Sequence, residues 1–443
     1  MWSLPQPDLL ATAEQKRLRP GADLREDARN QVRIKRVQRD QRELIGRTLD
    51  ELLPAMHRGR DIWEITGRLD LSELYARIES RGSNAGAFAI DPRITLSLWI
   101  YATSEGEGSS HEIARLCESS AAYRWICGGV AVRQRHLSNF RRHSGELFSK
   151  LITDVVAVLL KAGLCDLSRV AQDGTRVRAS AGAASFRREQ TLVELRKQAE
   201  AHLDAVLADA QNPALTKARR AAQERGARDR LQRIDAALAE LPDAAVAKKR
   251  SGEDRPPRVS TTDPQARVMK RGDGGFRPAY NVQFATTTDK ARLIVGVEVT
   301  NRGTDQGEAE PMMKQVEERF GERPKELLVD GGYLAHETLD ALAPKTTVYA
   351  PLKKTRQDQR PSTEARKSDS PATAGWRARM QTAESQELYK QRAATAETVN
   401  ADGKAHRGLD HVPIRSLDKV LGWACLFTLT YNILRVISIC RAG

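Results

Sequence analysis

The segment from Tyr280 to Pro351 constrains the fold more than any other part of this chain. YNVQFATT alternates Tyr280, Val282 and Phe284 in the period-2 pattern of a strand with one buried face, and RLIVGVEVT follows as a nearly continuous apolar run. Two adjacent strands are expected there. An amphipathic helix around Met312, Val316 and Phe320 leads to a short strand, ELLVD, then to the helix LAHETLDALA and a further strand, TTVYAP. Upstream, LSRVAQDGTRVRAS reads as a short strand ending in Asp-Gly. The order strand, insertion, strand, strand, helix, strand, helix, strand belongs to the α/β class, a sheet flanked by helices.

The insertion, Phe186 to Leu241, is densely charged and helical. Leu192, Leu195 and Leu203, then Leu231, Ile234, Leu238 and Leu241, form two narrow seams separated by a QNP breaker at Pro213, which predicts a helical hairpin. Such seams bury little, so the hairpin is expected to project and either self-associate or lie along DNA; a peripheral hairpin folded back on the core is the alternative. A polar, basic loop from Lys353 to about Ala374 precedes a helical segment containing Tyr389 to Lys404. The apolar stretch from Val420 to Leu434 is uncharged for only about 15 residues, short of the ~20 that span a bilayer, and reads as a buried terminal helix.

At 443 residues two or three folding units are expected. Residues 1–85 form a basic arm with clusters Lys16, Arg17, Arg19 and Arg33, Lys35, Arg36, Arg39, either gripping phosphate or simply solvated. Residues 86–163 form an all-α unit. PRITLSLWIYAT is helical, Ser109 and Glu112 have capping-box spacing, and a CGGV turn leads to a long helix on which Leu137, Phe140, Leu147 and Leu151 recur while Arg133, Arg135, Arg141 and Arg142 take other faces. Short helix, turn and basic helix outline a helix-turn-helix DNA reader, although a plain bundle has the same outline. Residues 164–443 hold the sheet, with 186–250 as the helical insertion. The balance of 72 Lys and Arg against 58 Asp and Glu, a formal charge of +14, suits a polyanionic partner. Five cysteines without C-x-x-C spacing support neither disulfides nor a zinc ribbon, the amino terminus lacks signal-peptide features, and a cytoplasmic, nucleoid-associated protein with no membrane partner is expected.

Two acids stand at predicted strand ends, Asp173 in DGT and Asp330 in DGGY, where α/β sheets present reactive groups; each also fits an ordinary Asp-Gly turn. A third, Glu397 in TAETVNADGK, shares within about 60° one helix face with Asn400 and Lys404. Three such carboxylates can ligate two Mg²⁺ ions ~3.5 to 4 Å apart for in-line displacement at phosphorus. Asp263 before proline reads as a turn starter, Asp305 as a cap for the following helix, and His336 as a helix-surface residue. The eight histidines show no metal-ligand spacing.

These motifs in this order resemble bacterial insertion-sequence transposases of the DDE class. The resemblance runs from about Ala87 to Arg435 through FRRHSGELF, DGT, TTDPQARVMKR, YNVQFA, DGGY, TAETVNADGK, RGLDHVPIRSLDKV and YNILR. It implies a ribonuclease H-like mixed sheet behind an all-α DNA-binding domain, with Asp173, Asp330 and Glu397 as catalytic acids and ligands of two Mg²⁺ ions, for which Mn²⁺ can substitute. It implies binding of double-stranded DNA at element ends and target, strand cleavage and strand transfer, and a homodimer or higher oligomer on DNA. Tyr389, Arg392 and Lys404 match the family's Tyr-Arg-Glu-Lys signature as DNA contacts, a plain surface lysine being the lesser alternative for Lys404. One spacing departs: four residues rather than three separate Arg392 from Glu397. In a regular helix that moves Arg392 from ~40° to ~140° off the glutamate, away from its face unless the helix bulges there. A decayed transposase that only binds DNA, or a nuclease without strand transfer, are the alternatives.

Overall fold

A ten-residue strand, β1 (Arg169–Arg178), runs through the middle of the main sheet in the computed structural model. The structure describes residues 46–79, 88–209, 216–250, 256–272, 274–352, 367 and 369–442. The basic clusters between Lys16 and Arg39, the breaker at Pro213 and most of the loop after Lys353 lie outside the described residues. Residues from Thr48 onward make one packed unit.

Further strands are β2 (Phe186–Arg187), β3 (Val259–Ser260), β4 (Arg267–Lys270), β5 (Phe276–Thr287), β6 (Ile294–Thr300), β7 (Glu326–Leu328) and β8 (Thr347–Tyr349). β5 lies antiparallel to β1 on one side and to both β4 and β6 on the other. On the far side of β1, β7 and then β8 run parallel. The path β6-β5-β1-β7-β8 is therefore three antiparallel strands followed by two parallel ones, the mixed α/β sheet of a ribonuclease H-like core. The expected end of the first strand is corrected. β1 does not stop at Asp-Gly: Asp173 pairs with Phe284, Gly174 with Gln283, and the ladder continues to Arg178.

The amino-terminal helices are α1 (Arg58–Thr66), α2 (Ser72–Ala76), α3 (Pro92–Ser104), α4 (Ser110–Ser119), α5 (Ala121–Cys127), α6 (Gln134–His143) and α7 (Gly145–Lys161). Half of the capping box forms, with Ser109 Oγ accepting from the Glu112 amide at 3.3 Å while the Glu112 carboxylate turns to Arg115. The single long helix expected across Leu137 to Leu151 is instead two. Ser144 leaves helical geometry at φ −110°, ψ 18°, and Gly145 comes so close to Gly422 that an added Cβ would lie 3.1 Å from its Cα.

The insertion is the expected hairpin, α8 (Glu189–Ala208) and α9 (Lys217–Ala239), with α10 (Leu241–Arg250) added. Its small core holds Leu192, Ala237, Leu241, Ala244 and Val259, and the β2–β3 pair closes its base. Between β6 and β7 lies α11 (Ala309–Phe320) and between β7 and β8 lies α12 (His336–Leu342); after β8 come α13 (Pro371–Arg379), α14 (Ala383–Tyr389), α15 (Thr398–His406) and α16 (Leu417–Ala442). α16 has 26 residues, more than its apolar stretch suggested, and is long and apolar enough to cross a membrane. It is instead the core helix, packed on α3, α7 and β6. Its Asn432 pairs with the edge of β6, donating to the Ile294 carbonyl at 2.8 Å and accepting from the Ile294 amide at 2.9 Å, which satisfies backbone groups that an edge strand leaves open.

One core runs from Ile62 and Trp99 through Leu151 to Tyr280, Phe284, Val297 and Phe427, so helices and sheet share it. A second, with Val170, Val316, Leu328, Tyr333 and Trp376, includes residues of β1, α11, β7 and α13. The sheet is thereby held by apolar packing while β1 and β5 carry Gln172, Asn281 and Gln283 as buried polar residues.

Candidate active site

Gly174 is required by close approach rather than by a turn. A Cβ there would overlap Asp305 Oδ1 and Gln283 Nε2 and lie 3.0 Å from Asn281 Oδ1. These side chains form a buried network: Asn281 and Gln283 each donate to Asp305 Oδ1 at 2.7 Å, and Arg176 reaches Asp305 Oδ2 at 3.0 Å. Tyr333, fully buried, donates its hydroxyl to Gln283 Oε1. The DGGY loop after β7 is thus anchored through Tyr333 to the strand that pairs with β1. Asp330, in that loop, accepts from the Gly332 amide at 2.7 Å. The reading of Asp305 as a helix cap is corrected, since its carboxylate is buried in this network and α11 begins without a side-chain cap.

The third acid arrives on a bulge. Between α14 and α15, residues Ala393–Glu397 form a π turn. Bonds from i to i+5 place residues five apart on nearly the same side, so the extra residue in the signature is absorbed and Arg392 returns to the face of Glu397. Threonine hydroxyls bond the carbonyls around the widened turn: Thr395 donates to Gln391 O at 2.8 Å and Arg392 O at 3.2 Å, and Thr398 to Ala393 O at 3.2 Å. Buried Thr395 and Ala396 seat the turn in the fold, beside β1 and β5.

Arg392 is the centre of the site. It is 8% exposed, and its guanidinium donates through Nη1 to Glu397 Oε1 at 2.7 Å and through Nη2 to Asp173 Oδ1 at 2.9 Å. Asn400 Nδ2 donates to the other Asp173 oxygen at 2.8 Å. Burial pushes the Asp173 carboxyl above its usual range; Arg392 and the Asn400 hydrogen bond pull against it, while Asp330 and Asp305 add to the push. Burial disfavours the Arg392 charge, but Asp173, Tyr389, Asp330 and Glu397 together raise its pKa above the ordinary value. Asp173, Asp330 and Glu397, from a strand, a strand-following loop and a helix bulge, therefore share one electrostatic neighbourhood.

Among the described residues no three His, Cys, Asp or Glu side chains are gathered closely enough to hold a metal ion. The donor chemistry nonetheless fits Mg²⁺, whose preferred ligands are carboxylate and carbonyl oxygens. Asn400 also brings a buried amide oxygen without a partner beside Asp173.

Tyr389 is half-buried, its pKa raised first by burial and also by Asp330 and Glu397. Lys404 is exposed, yet the protein around its ammonium, together with Arg271, holds its pKa below the usual lysine value, and Asp173 and Asp410 act oppositely. Arg133, Arg135 and Arg142 are exposed on or beside α6. Arg141 is not: it is 6% exposed, stacked 4.6 Å from the Trp99 ring and donating to the Gly108 carbonyl. Its expected DNA contact is corrected to a packing role. Asp263 is fully buried, accepting from Tyr280 Oη at 2.7 Å and the Ser416 amide at 3.3 Å, away from Arg392. His336 is exposed on α12 and lies 3.1 Å from Thr373 Oγ1. The Asp305 network and Tyr333's part in it were not legible in the sequence; Asn400 was, through its spacing from Glu397.

A family model described as Transposase DDE domain matches residues 234–433, and one described as Transposase domain (DUF772) matches residues 47–143. The first includes Asp330 and Glu397, and begins after Asp173. No curated protein and no solved structure matches the chain. The chain thus carries regions similar to two transposase domains in tandem, the second on a sheet of ribonuclease H-like order, and a DDE transposase domain implies an enzyme of DNA phosphoryl transfer.

Proposed function

We propose that this transposase binds the ends of an insertion sequence and carries out Mg²⁺-dependent strand cleavage followed by strand transfer, with Asp173, Asp330 and Glu397 as its catalytic acids. The observation that carries the reading is the single guanidinium joining Asp173 to Glu397, with Asp330 close enough to raise the Asp173 pKa. Two acids from distant elements share this one buried cation, and Asp330 adds its charge to the same neighbourhood, which supports the reading. Two Mg²⁺ ions, held by these carboxylates, would activate water or a 3′-hydroxyl and neutralise charge on the entering and leaving oxygens. Asn400 orients Asp173, and the Asp305 network with Tyr333 fixes the Asp330 loop against β5. Lys404 and Tyr389 hold the DNA backbone beside the site, and Arg133, Arg135 and Arg142 contribute phosphate contacts from the helical domain. Assembly on DNA as a homodimer or higher oligomer completes the reading.

The test is incubation of the protein with an element-end duplex, target DNA and Mg²⁺. Cleaved products followed by joined products are expected. Cleavage that never proceeds to joining identifies a nuclease, and binding without cleavage identifies a decayed enzyme.

A further inference from the structure

The buried guanidinium lies where a metal-loaded site needs its carboxylates free. Asp173 has both oxygens engaged, one by Arg392 and one by Asn400, and Glu397 gives one oxygen to the same Arg392. The Glu397 side chain is otherwise 54% exposed, so what holds it inward is this pair. The π turn is what lets both ends be reached, because a regular helix would carry Arg392 to another face. Asp173 is largely buried, and burial beside other carboxylates disfavours its ionised form unless a positive charge lies against it. Arg392 Nε is itself buried and without a partner, as befits a side chain placed for its two terminal nitrogens rather than for a saturated structural role.

We infer that Arg392 is a resident counter-cation: it neutralises and aligns Asp173 and Glu397 when no metal is bound, and its guanidinium must leave Asp173 before that carboxylate can bind a metal. This rests on the reading of Asp173 and Glu397 as metal ligands. Arg392 is then a positioning residue that competes with the metal, and the apparent metal affinity of the free protein is lowered by the fraction of molecules in which the guanidinium is seated. The charge itself also repels a dication, so the two effects are separated by keeping the charge and removing the fork. A lysine ammonium is a point charge that does not span two carboxylates as a planar guanidinium does.

The experiment titrates the full-length protein with Mn²⁺ alone, without DNA, by calorimetry and by water-proton relaxation, and records thermal unfolding with and without Mn²⁺. Arg392→Gln is expected to bind Mn²⁺ at least about tenfold more tightly than wild type, and Arg392→Lys to move in the same direction. Without metal both variants should unfold at lower temperature, and Mn²⁺ should raise their midpoints more than that of wild type. Affinities within twofold of wild type in both variants, or a gain confined to Arg392→Gln, would overturn displacement by the seated guanidinium. Should Arg392→Gln fail to fold, Arg392→Lys carries the test alone, with unchanged affinity counting against the inference. Asp173→Asn and Glu397→Gln, titrated in parallel, test the underlying reading separately: if both bind Mn²⁺ like wild type, these acids are not the metal ligands.

Discussion

Gly174 shows how much a single residue can conceal. In the sequence, Asp-Gly reads as a turn because both residues favour turns. In the fold it is mid-strand, and glycine is needed because Asp305, Gln283 and Asn281 lie on its α-carbon. Nothing local could reveal this, since Asp305 comes from a loop far along the chain. Gly174→Ala should destabilise the protein by about 1–3 kcal/mol through overpacking, seen as a fall in the thermal midpoint; an unchanged midpoint would argue against the network. Arg141 makes the same point for charge. Its place in a basic run suggested a DNA contact, whereas Trp99 and the Gly108 carbonyl bury it. Arg141→Ala should therefore lower the melting temperature, whereas Arg135→Ala should leave it within about 1 °C and weaken duplex binding with a shallower salt dependence. Asp263 has a pH signature. Burial, its main perturbation, raises its pKa in the folded state, so the folded protein binds this proton more tightly than the unfolded chain. Its contribution to stability is full below the unfolded value of about 3.9 and declines as pH rises toward the folded value. Asp263→Asn, which keeps an acceptor for Tyr280, should gain stability relative to wild type across that rise; parallel stability curves would contradict this.

At the scale of elements, β5 was legible from the alternation of Tyr280, Val282 and Phe284, although the structure covers its other face as well, with Asn281 and Gln283 fully buried. The hairpin was legible from its two seams and breaker. The break at Ser144 was not, because it follows from the approach of Gly145 to Gly422 on a helix nearly 280 residues away in sequence. The π turn lies between these cases. Its signal was a spacing irregularity, and only the structure shows it resolved by a bulge held by Thr395 and Thr398. Removing one residue from this turn, by deleting Ala394, should let it become an α turn with arginine and glutamate four apart, again on one face. Cleavage within about tenfold of wild type is expected together with an equal or higher melting temperature. Loss of folding would mean that the bulge is built into the packing on β1 and β5 and is not an absorbed insertion.

The whole molecule couples a helical domain to a catalytic sheet through one core, with α16 shared by both. The hairpin has its own small core and a base closed by β2 and β3. Replacing roughly residues 190–245 by a short Gly/Ser linker should leave the sheet folded, because the two ends already meet. Strand joining and assembly on DNA, measured on that variant, decide whether the hairpin serves the reaction; no change in either would remove it from the mechanism. The central claim is that Asp173, Asp330 and Glu397 act as one metal-binding catalytic set. It is tested most directly by measuring Mg²⁺-dependent cleavage of an element-end duplex by Asp173→Asn, Asp330→Asn and Glu397→Gln, each beside its affinity for the same duplex. All three should lose cleavage, a cost of several kcal/mol in the transition state, while binding the duplex within a few fold of wild type. A single one of these variants cleaving at close to the wild-type rate would contradict the account.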